Sequence, residues 1–304
     1  MRCTFRLRSG WLLGWFLGAL FAAACLVSPA AASDRVKVVA SFSILGDLVK
    51  NIGGSHVDVV DIVGPNGDPH VFDPSPKDAS LIADARIVVV NGLGLEGWLN
   101  RLVDVSNKKA PVIVATEGIK PRTIVVDRSK DDPHAWQSVP NVEIYASNIR
   151  DALIKADPGN KSDYDANYAA YLARLVELDQ EIRSTIAAIP PDRRSVLTTH
   201  NAFGYFSDAY GIAFAGLQGV STDAEPSARD VAMIIRQIKE KKIAALFLEN
   251  IVNPAQLKRI AEETGVKTGG TLYSDALTEA SGAAPTYIDL MRHNIQTIGA
   301  ALKD

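Results

Sequence analysis

Residues 162–189 read SDYDANYAAYLARLVELDQEIRSTIAAI. The apolar residues Tyr164, Tyr168, Tyr171, Leu175, Leu178, Ile182 and Ile186 recur at steps of 4, 3, 4, 3, 4 and 4, which is one stripe along an α-helix. Pro158 stands ahead of the stretch and Pro190-Pro191 stop it, as helix-breaking residues do at helix ends. At 1.5 Å per residue such a helix runs about 42 Å. That is too long for a crossover inside one small lobe, so it reads as a rigid backbone joining two lobes.

On either side the chain alternates strand and helix. Before the long helix, Val36–Ala40, Val57–Val63, Ile87–Val90 and Val112–Ala115 are short β-branched runs without clean alternation, the pattern of strands buried on both faces. Helical stretches lie between them at Ile44–Asn51, Lys77–Ala83 and Leu95–Val105. The rhythm returns afterwards in strands at Ser195–Thr199, Ile212–Leu217, Ala244–Leu248 and Val266–Thr268, with a helix at Ser227–Lys241. Ser227 and Asp230 have capping-box spacing. Asn253-Pro254 opens another helix. Alternation of this kind implies a parallel sheet covered by helices. The expected fold is therefore α/β, two lobes each with a parallel four-stranded sheet flanked by helices. The expected divisions are 33–157 for the first lobe, 158–190 for the linking helix and 191–304 for the second lobe.

Residues 1–32 read as an export signal. Arg2, Arg6 and Arg8 precede the apolar run Trp11–Val27, and Ala30-Ala31-Ala32 supplies a small-residue cleavage site, the three parts of a secretory leader. The alternative is lipid attachment at Cys25, although Ala22 occupies the position three residues earlier where such sites usually carry Leu. Cleavage after Ala32 removes both cysteines, Cys3 and Cys25. Any metal site in the exported chain must then use His, Asp or Glu. A composition of 47% hydrophobic and 22% charged residues excludes a disordered chain and a polytopic membrane protein. The formal charge of −3 argues against nucleic-acid partners, which need a concentrated basic surface.

The chain has five histidines, and a lone histidine is more often structural than a ligand. Three of them occupy unusual settings. His70 ends Gly64-Pro65-Asn66-Gly67-Asp68-Pro69-His70 directly after a strand. His134 follows Asp132-Pro133 in a polar loop before a helix, and His200 ends the strand that begins at Ser195. Each falls at or near the carboxyl end of an element, where α/β sheets place their ligand crevice. Two share the phrase Asp-Pro-His, in which proline fixes the backbone ahead of the imidazole and lowers the entropy lost when that ring is held on an ion. Asp275, after the last strand, stands in the matching position. Three imidazoles and one carboxylate suit tetrahedral Zn(II), and accept Mn(II) or Fe(II) when the carboxylate is bidentate. His56 reads as exposed and His293 as a packing or solvated residue. Glu225 and Glu249 are candidates for orienting ligand imidazoles, whereas Asp68 and Asp132 read as loop hydrogen-bonders and Trp136 as packing.

Taken together, Gly67-Asp68-Pro69-His70-Val71-Phe72-Asp73-Pro74-Ser75-Pro76, Asp132-Pro133-His134-Ala135-Trp136, Tyr164 with Asn167-Tyr168, His200-Asn201-Ala202-Phe203-Gly204-Tyr205-Phe206 and Ser221-Thr222-Asp223-Ala224-Glu225-Pro226-Ser227 resemble the metal-specific solute-binding proteins of zinc/manganese ABC importers (cluster A-I). The resemblance covers nearly the whole chain after the leader. It implies metal ligation by His70, His134, His200 and Asp275, and two lobes on one long helix. It also implies a periplasmic receptor working with an ABC permease and ATPase. Many zinc members carry a His- and Asp-rich loop before the second ligand, but Lys120–Asp132 contains no His. Loading from a periplasmic zinc chaperone is then an open route. Manganese members commonly carry Glu where this chain has His200, which favours Zn(II) as the transported ion, with Mn(II) as the alternative.

The expected receptor is monomeric, with two ligands from each lobe and the Asp275 loop free to move in the metal-free state. A metal-dependent hydrolase is the remote alternative. It needs an open coordination position and a general base, and neither a H-E-x-x-H nor a G-x-S-x-G motif occurs. The chain therefore reads as a binding protein and not an enzyme.

Overall fold

The computed structural model describes residues 1, 2, 4, 35–106, 110–124 and 131–303. The leader reading and Cys25 lie outside the described residues, as does part of the Lys120–Asp132 stretch. Among the described residues, no helix is long and apolar enough to cross a membrane.

Strands β1 (Val36–Phe42), β2 (Val57–Val63), β3 (Ile87–Val90) and β4 (Val112–Val114) form a parallel sheet in the order β2-β1-β3-β4. Strands β5 (Ser195–Thr198), β6 (Ala213–Gly216), β7 (Ala245–Glu249) and β8 (Thr268–Leu272) form a second parallel sheet in the corresponding order, β6-β5-β7-β8. Each sheet thus reverses direction of growth beside its first strand, and the crevice at such a point is where open α/β sheets bind ligands. Helices α1 (Ser43–Gly53), α2 (Pro76–Asp84), α3 (Leu99–Ser106) and α4 (Val139–Ala156) belong with the first sheet. Helices α6 (Gly204–Tyr210), α7 (Ala228–Lys241), α8 (Ala255–Thr264) and α9 (Tyr287–Leu302) belong with the second.

Between them runs α5, Lys161–Ala187. Its stripe is buried at Tyr164, Tyr171, Leu175, Leu178, Ile182 and Ile186. Tyr168, the remaining member, is half-buried beneath the guanidinium of Arg150, 4.5 Å from its ring centroid. Full burial of an apolar side chain of this size contributes about 1.5–3 kcal/mol, so the stripe fixes α5 strongly. It packs on α1 and α4 from the first half and on α6 and α9 from the second. One continuous apolar core therefore runs from Val36 to Leu302 along this helix. A separate cluster, including Ile234, Ile238, Leu246 and Leu257, lies where α7 and α8 cover the second sheet. The residues from Asp34 to Asp304 form one compact unit.

Local signals act as expected at α7, where Asp230 N–H donates to Ser227 Oγ at 3.3 Å and Ser227 N–H donates to Asp230 Oδ2 at 2.9 Å. The last strand differs from its expected place at Val266–Thr268, because β8 is Thr-Gly-Gly-Thr-Leu. Leu246 pairs with Thr268 and Phe247 with Gly270, leaving Gly269 as an extra residue, a bulge. The aromatic ring of Phe247 lies where a side chain at 269 would project, with its edge 2.3 Å from an added Cβ. Glycine is required there by close approach, and it erases the hydrophobic signal by which a strand is read.

Candidate metal site

The three histidines and Asp275 come together at the carboxyl ends of both sheets. His70 lies in the loop after β2, His134 just ahead of α4, His200 immediately after β5 and Asp275 after β8. One potential ligand atom from each lies within 4.8 Å of all the others. His70 Nε2 is 3.2 Å from His134 Nε2 and 3.3 Å from Asp275 Oδ2. His200 Nε2 is 3.1 Å from Asp275 Oδ2, and His134 Nε2 is 3.7 Å from Asp275 Oδ1. Four donors placed about 2.0–2.1 Å from a central Zn(II) stand about 3.3 Å apart, so this spacing suits one ion. Both oxygens of Asp275 are buried without a hydrogen-bond partner among the described residues and both approach imidazoles, so the carboxylate can bind through one oxygen or two.

The repeated Asp-Pro-His phrase has a structural reason. In each copy the aspartate carboxylate accepts the backbone N–H of the histidine two residues on: Asp68 Oδ1 from His70 at 2.9 Å and Asp132 Oδ1 from His134 at 3.1 Å. This is an Asx turn. The intervening proline carbonyl is also fixed in each copy, by Trp98 Nε1–H to Pro69 O at 2.9 Å and by Asn91 Nδ2–H to Pro133 O at 2.9 Å. Asn91, at the end of β3, is itself held by the Tyr145 hydroxyl at 2.5 Å and by Glu96, which accepts its backbone N–H at 2.6 Å. Trp98 and Asn91 escape a reading of the sequence. A buried asparagine at a strand end is the only signal, and it does not name its partner.

The imidazoles are oriented from behind. Asp132 Oδ1 lies 2.8 Å from His134 Nδ1. Glu249, at the end of β7, accepts the His200 backbone N–H through Oε1 at 2.9 Å and places Oε2 2.6 Å from His200 Nδ1. Such contacts leave Nε2 free to face an ion. Glu249 therefore occupies the orienting position considered for it, whereas Glu225 is exposed and stands apart from the cluster. Asp132 has a larger part than a loop hydrogen bond, since it grips the ring as well as the backbone. Arg122 donates to Asp132 Oδ2 at 3.2 Å and to Asp208 on α6 at 3.0 Å. Gly204, at the start of α6, lets this pair pass. An added Cβ there would lie 2.5 Å from both Arg122 Nη1 and Asp132 Oδ2.

Asp275 follows β8 of the second sheet. Its loop is tied to the first half. The Ser274 carbonyl accepts from Trp136 Nε1 at 2.9 Å and Gln137 Nε2 at 2.7 Å, Leu277 N–H donates to Ser43 Oγ at 3.0 Å, and Asn66 N–H donates to Leu277 O at 2.8 Å. Asn294 of α9 holds the same segment from the second half, donating to the Tyr273 carbonyl at 2.7 Å and accepting the Tyr273 N–H at 2.8 Å, so Asp275 is braced from both sides. Trp136 is fully buried packing, and also supplies one of these braces. His56 is bonded instead to Asp163 on α5 at 2.7 Å and is half-buried rather than exposed. His293 packs its ring on Tyr273 at 4.7 Å and contacts the Thr271 carbonyl.

Electrostatics identify the kind of ligand. Asp132, Glu249 and Asp275 are buried together, and Arg122 offsets part of their charge. Burial pulls the His134 imidazole down, but Asp275 and Asp132 override it and lift its pKa to about 9. Burial likewise opposes charge on His200, and Glu249 with Asp275 raises it well above the ordinary value. Burial alone would push Asp275 up, yet His200 and His134 hold it well below the usual carboxylate range. The pocket is thus built for positive charge, which protons supply in the absence of a cation. Glu249→Gln keeps the shape but removes this charge. It is expected to weaken metal binding about 10- to 100-fold with an unchanged circular dichroism spectrum, measured by competition with a chromophoric chelator.

Comparison with known proteins agrees with this geometry. The family described as zinc-uptake complex component A, periplasmic, matches residues 38–301. The chain is 36% identical over 288 residues to the manganese-binding lipoprotein MntA of Halalkalibacterium halodurans, covering 93% of this chain and 95% of that protein. It is 31% identical over 305 residues to the iron ABC transporter substrate-binding lipoprotein MtsA of Streptococcus pyogenes serotype M1, covering 97% and 98%. The solved structure of the periplasmic zinc-binding protein TroA from Treponema pallidum superposes with a TM-score of 0.84 at 32% identity, over 89% of this chain and all of that one. The chain belongs to the zinc-uptake complex component A family, the metal-binding substrate-binding proteins of ABC importers, which work with a permease and an ATPase and are not enzymes.

Proposed function

We propose that the protein captures Zn(II) outside the cytoplasm through His70, His134, His200 and Asp275, and delivers it to an ABC importer. The observation that carries this reading is the convergence of three buried Nε2 atoms on a carboxylate with two unpartnered oxygens. Four protein ligands saturate a tetrahedral ion and leave no position for a reacting water, as suits cargo rather than catalysis. The third imidazole favours Zn(II), which binds nitrogen donors more tightly than Mn(II) does in the general affinity order. Lobes at 33–157 and 191–304, on either side of the helix at 158–190, form the two walls of the site in this reading.

Mn(II) is the second reading. It is favoured by a carboxylate able to bind through both oxygens and by relatives whose names specify manganese, such as MntA. The lipoprotein names of MntA and MtsA likewise favour attachment at Cys25 over a soluble periplasmic form released by cleavage after Ala32. Titrating metal-free protein with each ion against a competing chelator tests the metal. Zn(II) is expected to bind at least about tenfold more tightly, and equal or tighter Mn(II) binding overturns the zinc reading.

A further inference from the structure

Asp68 does more than hold its own loop. While Oδ1 accepts the His70 N–H, Oδ2 accepts the Thr222 hydroxyl at 2.5 Å. Asp68 lies in the loop after β2 of the first sheet, and Thr222 in the loop after β6 of the second. The bond therefore spans the crevice between the two halves.

Its position gives it a consequence. The side chains of His134, His200 and Asp275 are fully buried, whereas that of His70 retains 4% exposure. The side of the site nearest solvent is the His70 side, and the Asp68–Thr222 contact is two residues from it. His134 and His200 each have a carboxylate beside Nδ1. Asp68 instead grips the His70 backbone and passes its second oxygen across the crevice. A second side-chain bond from this loop to the second half, Asn250 Nδ2–H to Asn66 Oδ1 at 3.2 Å, is longer and lies on the exposed surface.

We propose that the Asp68–Thr222 hydrogen bond is a latch that holds the two halves closed beside His70 and slows release of the bound ion. Asp68 and Thr222 are positioning residues for capture and do not themselves touch the metal. The inference rests on reading His70, His134, His200 and Asp275 as the cargo site. A bond from a hydroxyl to a carboxylate is among the stronger hydrogen bonds. Because it forms only when the halves are together, its loss accelerates opening more than it alters encounter with the ion, so the effect falls on dissociation.

The test compares wild type with Thr222→Val, which removes the hydroxyl at nearly constant volume and leaves the Asp68–His70 turn intact, and with Thr222→Ser, which restores the donor. Zinc release into excess chelator is followed by stopped flow, together with amide hydrogen exchange of the 64–70 and 217–227 loops in metal-free protein. Thr222→Val is expected to release zinc about tenfold faster, with association changed less than about twofold. Both loops should exchange faster, and Thr222→Ser should return both properties to wild-type values. Unchanged release or exchange in Thr222→Val, or a serine variant that behaves like valine, overturns the latch. Failure of wild type to bind zinc overturns the cargo reading instead, and the exchange arm still decides the latch.

Discussion

Replacing His134 by alanine is expected to weaken zinc binding by about three orders of magnitude or more, beyond the 10- to 100-fold typical of an orienting partner. In the proposed site the imidazole is one of four donors, and the neighbouring Asp275 and Asp132 favour its charged form. Its loss leaves the buried carboxylates Asp132 and Asp275 without the imidazole they share, and of these two Arg122 bonds Asp132. His200→Ala should behave similarly, since Glu249 and Asp275 then lose their shared partner. His56→Ala and His293→Ala serve as controls. Their rings contact Asp163 and Tyr273, away from the site, and zinc affinity should stay within about twofold of wild type because surface and packing changes remote from a site act nearly independently of it. Competition titration of the four variants, with circular dichroism to verify folding, decides the matter. A loss below about tenfold in His134→Ala would remove this residue from the ligand set.

Acid is expected to have an effect of comparable size. Ligand imidazoles must be neutral to bind metal, so protons and metal compete for them. With an unperturbed histidine, competition would begin near pH 6.5. In this pocket His134 is lifted to about 9 and His200 is raised well above its ordinary value, so both hold a proton more tightly than a free imidazole does. Affinity therefore rises with pH through the neutral range and levels off only above the raised values. Between pH 7.5 and 5.5 the loss is about 10²-fold if one proton is displaced by the metal and about 10⁴-fold if two are displaced. Asp275 does not reverse this trend, because it is held well below the usual carboxylate range and remains ionised. Calorimetry of zinc binding in buffers of different ionisation enthalpy counts the released protons directly. Zinc affinity independent of pH over this interval would contradict histidine ligation.

The same charge arrangement links retention to transport. Three buried carboxylates beside the imidazoles favour a cation strongly while the crevice is closed. Separating the halves exposes them to water, where each Coulombic contact weakens severalfold. The Asp275 loop is held by Ser43, Asn66, Trp136 and Gln137 of the first half and by Asn294 of α9 in the second, so it bridges the two halves.

The α5 periodicity carried the architecture because a stripe at steps of three and four has one low-energy solution, burial of that face, and two prolines bound its length. The strand and helix alternation on either side was equally local, and the runs at β1–β4 lie where their β-branched residues suggest. Signals failed where a backbone contact replaced a side-chain preference. At β8 a glycine bulge beneath Phe247 shifted the strand beyond its apolar residues. Asp-Pro-His marked two of the candidate ligands because an Asx turn is a local device, written in three consecutive residues. The orienting role of Asp132 was half legible, since the turn is local but the grip on the ring depends on the conformation of the loop.

What remained was settled by residues far apart in the chain. Trp98 and Asn91 fix the prolines of the two phrases, Arg122 balances Asp132, and Thr222 reaches Asp68 over a separation of 154 residues. The order of amino acids dictated the secondary structure, its layered packing and the donor types available, because these follow from periodicity and short-range chemistry. What braces the Asp275 loop, which carboxylates stand behind His134 and His200 and which residues meet across the crevice emerged only in three dimensions. Hydrogen bonds of 2.5–3.2 Å need tertiary closure to bring their partners within reach, and no pattern along the chain encodes that distance.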